Sequence, residues 1–179
     1  CSSDLIDAGQ FSVGSAASEL TREFLIAVAH CLTKDGIASM RFQYVDFGPG
    51  AVKVFVETWR SVFSKSGAIE TAPGEWLLLG ANGDRDLIPA DYVKRLHKQH
   101  VRLALSKLGW DWSTPLSLAF YQGSDFEAAF HGTPKIINTA TNVRLTSWLP
   151  WEVMRWGRKY EEIARDRKGV GWGKSVDPG

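Results

Sequence analysis

Cysteine is scarce in this chain of 179 residues, which has only Cys1 and Cys31. Two thiols cannot build a disulfide framework or a cysteine-rich metal cluster. Long apolar runs are also lacking, because the longest, residues 24–29, ends at His30 and falls short of the ~20 residues that span a bilayer. No basic segment followed by an apolar stretch stands at the N-terminus, so no signal peptide is predicted in this chain, although one already removed remains compatible with it.

An excess of either charge is lacking too. The chain has 21 Lys and Arg against 20 Asp and Glu, a net charge of +1, and a pI near 8.0. So balanced a charge gives no strong field to attract nucleic acid or anionic lipid, and we expect no nucleic-acid partner. The composition, 44% hydrophobic and 23% charged, is typical of one globular domain, and the 8 Trp and 9 Phe are expected mainly in its core.

Two amphipathic helices are predicted between residues 21 and 82. The apolar positions of each recur with the 3.6-residue period of a helix that buries one face. In the first helix these positions are Leu20, Phe24, Ala27, Val28, Cys31 and Leu32, and in the second Val52, Phe55, Val56, Trp59, Val62 and Phe63. Cys31 is therefore predicted to be a small buried apolar residue.

Strands are predicted between and after these helices. Residues 37–44 form one strand, and a turn at residues 72–75 followed by an apolar run at 76–79 indicates an antiparallel pair at a sheet edge. Alternating strands and helices predict an α/β fold with helices on the faces of the sheet. The predicted organisation is a core over residues 1–88 and a helical extension over 89–179, packed together as one structural domain.

The predicted extension begins with one long helix from Pro89 to Leu108, stopped by Gly109. His97 and His100 lie three residues apart on it, but they are flanked by Lys and Arg and not by further ligands, so a solvated basic face is favoured over a metal site. A final helix is predicted to start at Pro150.

Four short segments carry a resemblance to a known family. They are Thr21-Arg22-Glu23-Phe24, Leu32 to Ile37, Thr58 to Phe63 and Trp76-Leu77-Leu78-Leu79-Gly80, joined later by Asn138-Thr139. Together they resemble the second half of a spermidine synthase-like domain, as in the bacterial fused spermidine synthase-like proteins. The resemblance implies a partial Rossmann-like sheet of the S-adenosylmethionine methyltransferase type, flanked by helices, with an antiparallel edge and a helical C-terminal part.

The resemblance also implies candidate site residues. Asp7 matches the first of the acidic residues that follow a strand in the family, one of which accepts the proton of the attacking amine. Gln10 stands where the second acid is expected, and an amide cannot act as a general base. Asn138 and Thr139 match a late segment near the family's substrate site, although an ordinary turn pair is the favoured alternative. Ala140 replaces the acid that ends this segment.

Other departures bear on the cofactor. Met40-Arg41 replaces the family's Gln-Trp, and a charged Arg41 in a strand must reach solvent, a carboxylate or a partner. The two Gly clusters, at residues 47–50 and 169–173, lack the strand–turn–helix context of a nucleotide-binding motif, and nothing before Asp4 supplies one. We therefore expect no cofactor on this chain alone, and an S-adenosylmethionine-type ligand only if a partner chain completes the site.

Three functions follow as hypotheses. The first is a diverged, inactive spermidine synthase-like domain that is a structural or accessory subunit bound to another protein chain. The second is half of a split S-adenosyl-dependent aminopropyltransferase or methyltransferase. The third uses Cys1 as a lipid attachment site of an accessory lipoprotein subunit, although a processing boundary is the favoured explanation of that cysteine. The compartment stays open between the cytoplasmic face, another membrane association and a lipoprotein location.

Overall fold

The computed structural model describes residues 3–6, 20–44, 48–83, 86–123, 126 and 136–156. Its strands are β1 (Ser3–Ile6), β2 (Ile37–Gln43), β3 (Lys65–Ala72), β4 (Glu75–Ala81) and β5 (Phe120–Gln122). Its helices are α1 (Arg22–Cys31), α2 (Pro49–Arg60), α3 (Tyr92–Leu96), α4 (Gln99–Lys107), α5 (Thr114–Ser117) and α6 (Arg144–Trp156). The predicted α/β class is confirmed.

The five strands form one mixed sheet in the order β1-β2-β4-β3-β5. β1 runs parallel to β2, whereas the β2/β4, β4/β3 and β3/β5 pairs are all antiparallel. This order is not typical of a Rossmann-like sheet, in which the strands are mostly parallel. The structure therefore supports the general α/β prediction and does not confirm the Rossmann-like one.

The predicted antiparallel pair is present as β3 and β4, joined through Gly74, whose φ of 86° suits the tight turn. Its predicted position at a sheet edge is wrong. β4 also pairs along its whole length with β2, from Ile37 opposite Ala81 to Gln43 opposite Glu75, so it is the central strand. The apolar run in β4 reflects this central position, because a strand with a neighbour on each side is extensively buried.

α2 contributes much of the core. Most of the predicted apolar face is confirmed, since Val52, Phe55, Val56 and Trp59, with Phe63 just after the helix, are each at most 2% exposed, whereas Val62 is only partly buried. Burying each such side chain contributes roughly 1.5–3 kcal/mol before the cost of ordering it. The indole Nε1 of Trp59 donates a hydrogen bond to the carbonyl oxygen of Leu79 at 3.2 Å, which links α2 to the central strand.

α1 buries a face rotated from the predicted one. Leu25 is fully buried, while Ala27 and Cys31 are exposed, so the prediction that Cys31 is buried is wrong. The buried stripe is completed by the partly buried Val28 and Leu32. Larger aliphatic side chains gain more from burial than alanine or cysteine, and they set the rotation of the helix.

The region after residue 89 differs from its prediction in three places. The predicted long helix is two helices, because Lys98 adopts an extended conformation (φ −63°, ψ 136°) between α3 and α4. The final helix starts at Arg144 and contains Pro150 in its interior, instead of starting at that proline. β5 pairs with β3, so this region adds a strand to the sheet that was not predicted. The division of the chain at residue 88 stays a prediction.

Membrane crossing has no candidate among the described helices, none of which combines the length and the apolar character that a bilayer span requires.

Gly80 is predicted to be essential for the close packing of β4 on α2. A Cβ atom at this position would lie 2.5 Å from Cγ and 2.9 Å from Cβ of Phe63, atoms that cannot move without shifting the ring. We expect Gly80→Ala to lower the free energy of unfolding by about 1–3 kcal/mol. Gly50→Ala in α2 is the matched control, because its Cβ would meet nothing within 4 Å, and it should raise stability by about 0.5 kcal/mol. Urea denaturation of both variants checks this, and equal effects would contradict it.

Candidate functional site

The structure describes two of the predicted site residues, Asn138 and Thr139. Asp7, Gln10 and Cys1 lie outside the described residues, so their predicted roles stay predictions. Asn138 and Thr139 lie in the segment before α6, and this segment packs where α1 begins. The candidate site is therefore built from the start of α1 and residues 138–142, called here the Asn138 turn.

Asn138 is completely buried, and both polar atoms of its side chain are hydrogen-bonded to backbone groups. Its Nδ2 donates to the carbonyl oxygen of Leu20 at 3.1 Å, and its Oδ1 accepts from the backbone N–H of Leu145 at 3.2 Å. Leu20 and Leu145 are each 1% exposed, so water does not compete for these bonds. This one amide therefore links Leu20, shortly before α1 and 118 positions earlier in the chain, to the start of α6, seven positions later.

The backbone of Asn138 makes two further long-range bonds. Its N–H donates to Oγ1 of Thr58 on α2 at 2.9 Å, and its carbonyl oxygen accepts from the N–H of Arg22 at 2.9 Å. Thr58 is itself fully buried and donates its hydroxyl to the carbonyl oxygen of Val54 at 2.7 Å. The first N–H group of α1, which has no partner within the helix, is thus satisfied by the Asn138 turn.

Thr21 and Glu23 organise the start of α1. Thr21 is the N-cap, and its hydroxyl accepts a 3.3 Å hydrogen bond from the N–H of Phe24. Glu23 lies in the first turn, where a carboxylate is favoured by the helix dipole, and its Oε2 accepts from the N–H of Ala140 at 2.8 Å. A carboxylate therefore does reach position 140, where the resemblance places an acid, but it comes from α1.

The Asn138 turn also closes on itself. The N–H of Asn142 donates to the backbone carbonyl of Thr139 at 3.1 Å and to its Oγ1 at 3.0 Å. A further hydroxyl contact of 3.3 Å joins Thr139 to Thr141. The favoured prediction of a turn holds for Thr139, whereas Asn138 is a buried residue that precedes the turn of residues 139–142, and both residues make structural hydrogen bonds.

Sequence reasoning missed Thr58 and Glu23 as parts of this arrangement. Thr58 interrupts an otherwise apolar helix face, and because buried polar groups are hydrogen-bonded, its hydroxyl could have been predicted to bond to another residue. Glu23, two residues after the N-cap Thr21, fits the pattern of an acid in a first helical turn, but its contact with Ala140 lies 117 residues away and leaves no local trace. Across the described ranges, no cluster of three or more His, Cys, Asp or Glu side chains could hold a metal ion.

Arg41 finds a carboxylate, one of the three outcomes predicted for it. Its Nη2 and Nε donate to Oε2 of Glu75 on the central strand at 2.6 and 2.8 Å. Gln43 donates to the same oxygen at 3.1 Å, and Thr71 donates to Oε1 at 2.8 Å. The Arg41 hydrogen bond is the main cause that lowers the pKa of Glu75, helped by those of Gln43 and Thr71 against the opposing effect of burial. This cluster ties β2 to the β3–β4 hairpin.

A cavity of about 540 Å³ lies elsewhere, where α2 ends and β3 begins. Arg60, Lys65 and Asp86 bring charge to its wall, and Phe63 and Leu87 are among its apolar lining. Arg60 is held by Glu57 at 3.1 Å. Neither Asn138 nor Thr139 lines this cavity, so the structure does not bring the predicted site residues to it.

Replacing Asn138 tests its structural role. Asn138→Ala would leave the Leu20 carbonyl and the Leu145 N–H buried without partners, and we expect a loss of about 2–4 kcal/mol in the free energy of unfolding. Asn142→Ala, an exposed asparagine of the same turn, is the control and should change stability by less than about 0.5 kcal/mol. A loss confined to Asn142→Ala would contradict the assignment.

Asn138→Asp gives a second, pH-dependent test at the same position. A protonated carboxyl can donate to Leu20 as the amide does, whereas a buried carboxylate facing that carbonyl is disfavoured, so the pKa of the new group should be raised in the folded state. The contribution of this carboxyl to the free energy of unfolding should be complete below its unfolded-state pKa, about 3.9, and should be lost as the pH rises through its folded-state pKa. Chemical denaturation from pH 3 to 8 measures this, and a pH-independent difference from the parent protein would argue against it.

The Arg41–Glu75 pair should give the opposite pH dependence. Because the folded pKa of Glu75 is lowered, its contribution is present above the unfolded value, about 4.3, and is lost as pH falls through the folded value. We expect Arg41→Met to cost about 1 kcal/mol at pH 7, a difference that shrinks under acid. Arg95→Met is the control, since Arg95 and Asp91 form an exposed i,i+4 pair, and it should have little effect. Equal losses in both variants would refute the distinction.

Comparison with known proteins identifies no related protein. No protein-family model matches the sequence, no curated protein matches it, and no solved structure matches it. The assignment of function therefore depends on the contacts of this chain.

Proposed function

We propose that this chain is a diverged, catalytically inactive spermidine synthase-like domain that is a structural or accessory subunit of a larger protein assembly. The observation that carries the proposal is the complete burial of Asn138 and its hydrogen bonds to Leu20, Leu145, Thr58 and Arg22. An amide that is completely buried and bonded at both side-chain atoms is not accessible to a substrate. A residue that the resemblance places near the substrate is thus used for folding.

The missing acids support the loss of catalysis. Aminopropyl transfer needs a general base, because the attacking amine must lose a proton as the new bond forms. Gln10 and Ala140 replace two expected acids, and neither an amide nor a methyl group can accept that proton. Glu23 supplies a carboxylate at the Asn138 turn, but its Oε2 accepts a backbone hydrogen bond and helps to hold the turn against α1.

The direction of the strands supports the relationship to a methyltransferase-type sheet. β1, β2 and β3 are linked through α1 and α2, and all three run in the same direction, because β4 is antiparallel to both β2 and β3. Helix-linked strands of common direction are the repeating unit of α/β sheets. β4 and β5 then supply the opposing strands, as the antiparallel part of the proposed sheet.

The position of β1 supports a partner chain. β1 is the terminal strand of the described sheet and pairs with β2 on one side. Among the described residues no strand pairs with its other side, and such an edge accepts an added strand through main-chain hydrogen bonds. We infer that a strand of another protein chain extends the sheet beside β1.

Hydrogen exchange tests this assembly directly. The complex isolated from the natural source is first resolved by native mass spectrometry and then compared with the isolated chain. We expect a second polypeptide in the complex and slower exchange of the β1 amides, with unchanged exchange in β5, which serves as the opposite-edge control. A lone chain with identical β1 exchange in both preparations would overturn the assembly.

Ligand binding tests the loss of activity separately. We expect no binding of S-adenosylmethionine or methylthioadenosine by this chain or by the complex in isothermal titration. Binding by the complex but not by the chain would instead favour the split transferase in which Asp7 faces the transferred group. Mass spectrometry of the intact chain also examines Cys1, because a lipid-sized increment there would favour the anchored accessory subunit.

A further inference from the structure

A second groove, of about 450 Å³, lies between α4 and the segment that follows it. Trp110, Trp112 and Leu103 provide its apolar wall, and its polar lining consists of His97, Gln99, Arg102, Ser106 and Asp111. The volume is within the range of pockets that hold small molecules, and the mixture of aromatic walls with a few polar groups is typical of them. We call it the tryptophan groove.

The shape of the tryptophan groove is fixed by the end of α4. The N–H of Gly109 donates to the carbonyl of Ser106 and the N–H of Trp110 to that of Leu105, each at 3.0 Å. This pair of bonds is a Schellman motif, and it requires the left-handed conformation that Gly109 adopts at φ 74°. The chain therefore reverses at a defined angle and brings both tryptophans back beside the helix.

The aromatic wall is held from both sides. The ring of His97 packs on that of Trp112 with 4.2 Å between centroids. Asp111, between the two tryptophans, accepts hydrogen bonds at Oδ1 from the N–H and hydroxyl of Ser113 at 2.6 and 2.7 Å. The N–H of Thr114 adds a third at 3.0 Å. These bonds lower the pKa of Asp111, and they engage its charge in the turn that leads to α5.

Core packing does not explain the residues of this groove. None of the residues of α4 is buried, and Leu103 is 59% exposed at the groove. An exposed apolar side chain next to two partly exposed indoles forms a surface on which a flat apolar group can displace water.

The lining carries the charges of Arg102 and Asp111, and Oδ1 of Asp111 is already bound by Ser113 and Thr114, so Arg102 is the charged group that we expect to meet a ligand. Among the described residues Arg102 makes no ion pair, in contrast to Arg95, which is bound to Asp91 at 2.8 Å. A guanidinium binds carboxylate and phosphate oxygens through paired hydrogen bonds, so the polar end of a ligand here should be an anion.

We propose that the tryptophan groove binds a small organic anion that joins a flat apolar ring to a carboxylate or a phosphate. The ring packs against Trp112 and Leu103, and the anionic group pairs with Arg102. This ligand site is separate from the Asn138 turn and does not depend on the function proposed above.

Ring and charge can be tested separately with simple probes. The probes are 2-naphthoate, 1-naphthyl phosphate, the neutral 2-naphthylmethanol, and acetate, titrated while the indole N–H signals of the full chain are followed by NMR. For the better anion we expect a Kd of about 1 mM, the affinity reasonable for so small a ligand. Shifts should concentrate at Trp110 and Trp112, while the neutral probe and acetate bind at least about fivefold more weakly. The better of the two anions decides between carboxylate and phosphate.

Matched variants show which residues of the groove bind the ring and which bind the anionic group. Arg102→Gln should weaken the anion about fivefold and leave 2-naphthylmethanol unchanged, whereas Lys107→Gln, on the same helix outside the groove lining, should change neither. Trp112→Ala should weaken both probes, and Trp151→Ala, which removes a 71% exposed indole on α6, should not. Thermal melts establish that each variant is folded.

Three results would overturn the proposal. One is the absence of shifts at Trp110 and Trp112 up to 10 mM of either naphthyl anion. Another is an equal loss of affinity in Arg102→Gln and Lys107→Gln, which would assign binding to general positive charge. The third is concentration-dependent dimerisation that Leu103→Glu abolishes, together with no naphthyl binding, which would assign the groove to a second copy of the chain.

Discussion

The buried amide of Asn138 is the interaction on which the arrangement of the helices depends. A polar side chain in a core is tolerated only when its donors and acceptors are bonded, and here both side-chain atoms and both backbone groups are bonded. These bonds reach the start of α1, the last turn of α2 and the start of α6. Because hydrogen bonds are directional, they specify how the three helices meet, whereas apolar contacts between them would permit several arrangements.

Around the Asn138 hydrogen bonds, the free energy that favours folding comes mainly from the burial of apolar side chains. α2 packs its aromatic face on the sheet, where Phe42 and Phe55 lie 4.3 Å apart between ring centroids and Trp59 and Phe63 lie 4.6 Å apart. The close approach at Gly80 allows the second of these pairs to lie directly against the central strand. The polar cluster of Arg41 and Glu75 then joins β2 to the hairpin through partly exposed side chains, where its contribution is smaller and pH-dependent.

Periodicity predicted the parts of this fold whose burial repeats regularly. The face of α2 follows the expected spacing, since Val52, Phe55, Val56 and Trp59 all bury their side chains in the core. α1 differs because Ala27 and Cys31 count as apolar in a pattern but gain little from burial, and Leu25 sets the rotation. β5 has only three residues, too few for any alternation to be read, and its pairing depends on β3 being next to it.

The candidate site was predictable only as a turn. The residues before α6 have the composition of a turn, and the sequence indicates as much for Asn138 and Thr139. Their partners are Thr58, 80 residues away, and Leu20, 118 residues away, and no local pattern contains such contacts. The charge partner of Arg41 was equally hidden, because it depends on β4 lying beside β2 and not at the edge of the sheet.

The insertion of β4 between β2 and β3 has a consequence for the order of events during synthesis. β2 and β3 leave the ribosome before the strand that must join them, and neither has a neighbour on the β4 side until residues 75–81 arrive. Until then, two unpaired edges face the medium, and such edges associate readily with those of other nascent chains. The hairpin turn at Gly74 shortens this interval, because β4 can pair with β3 as soon as β4 is synthesised. The free edge of β4 in this hairpin then pairs with β2.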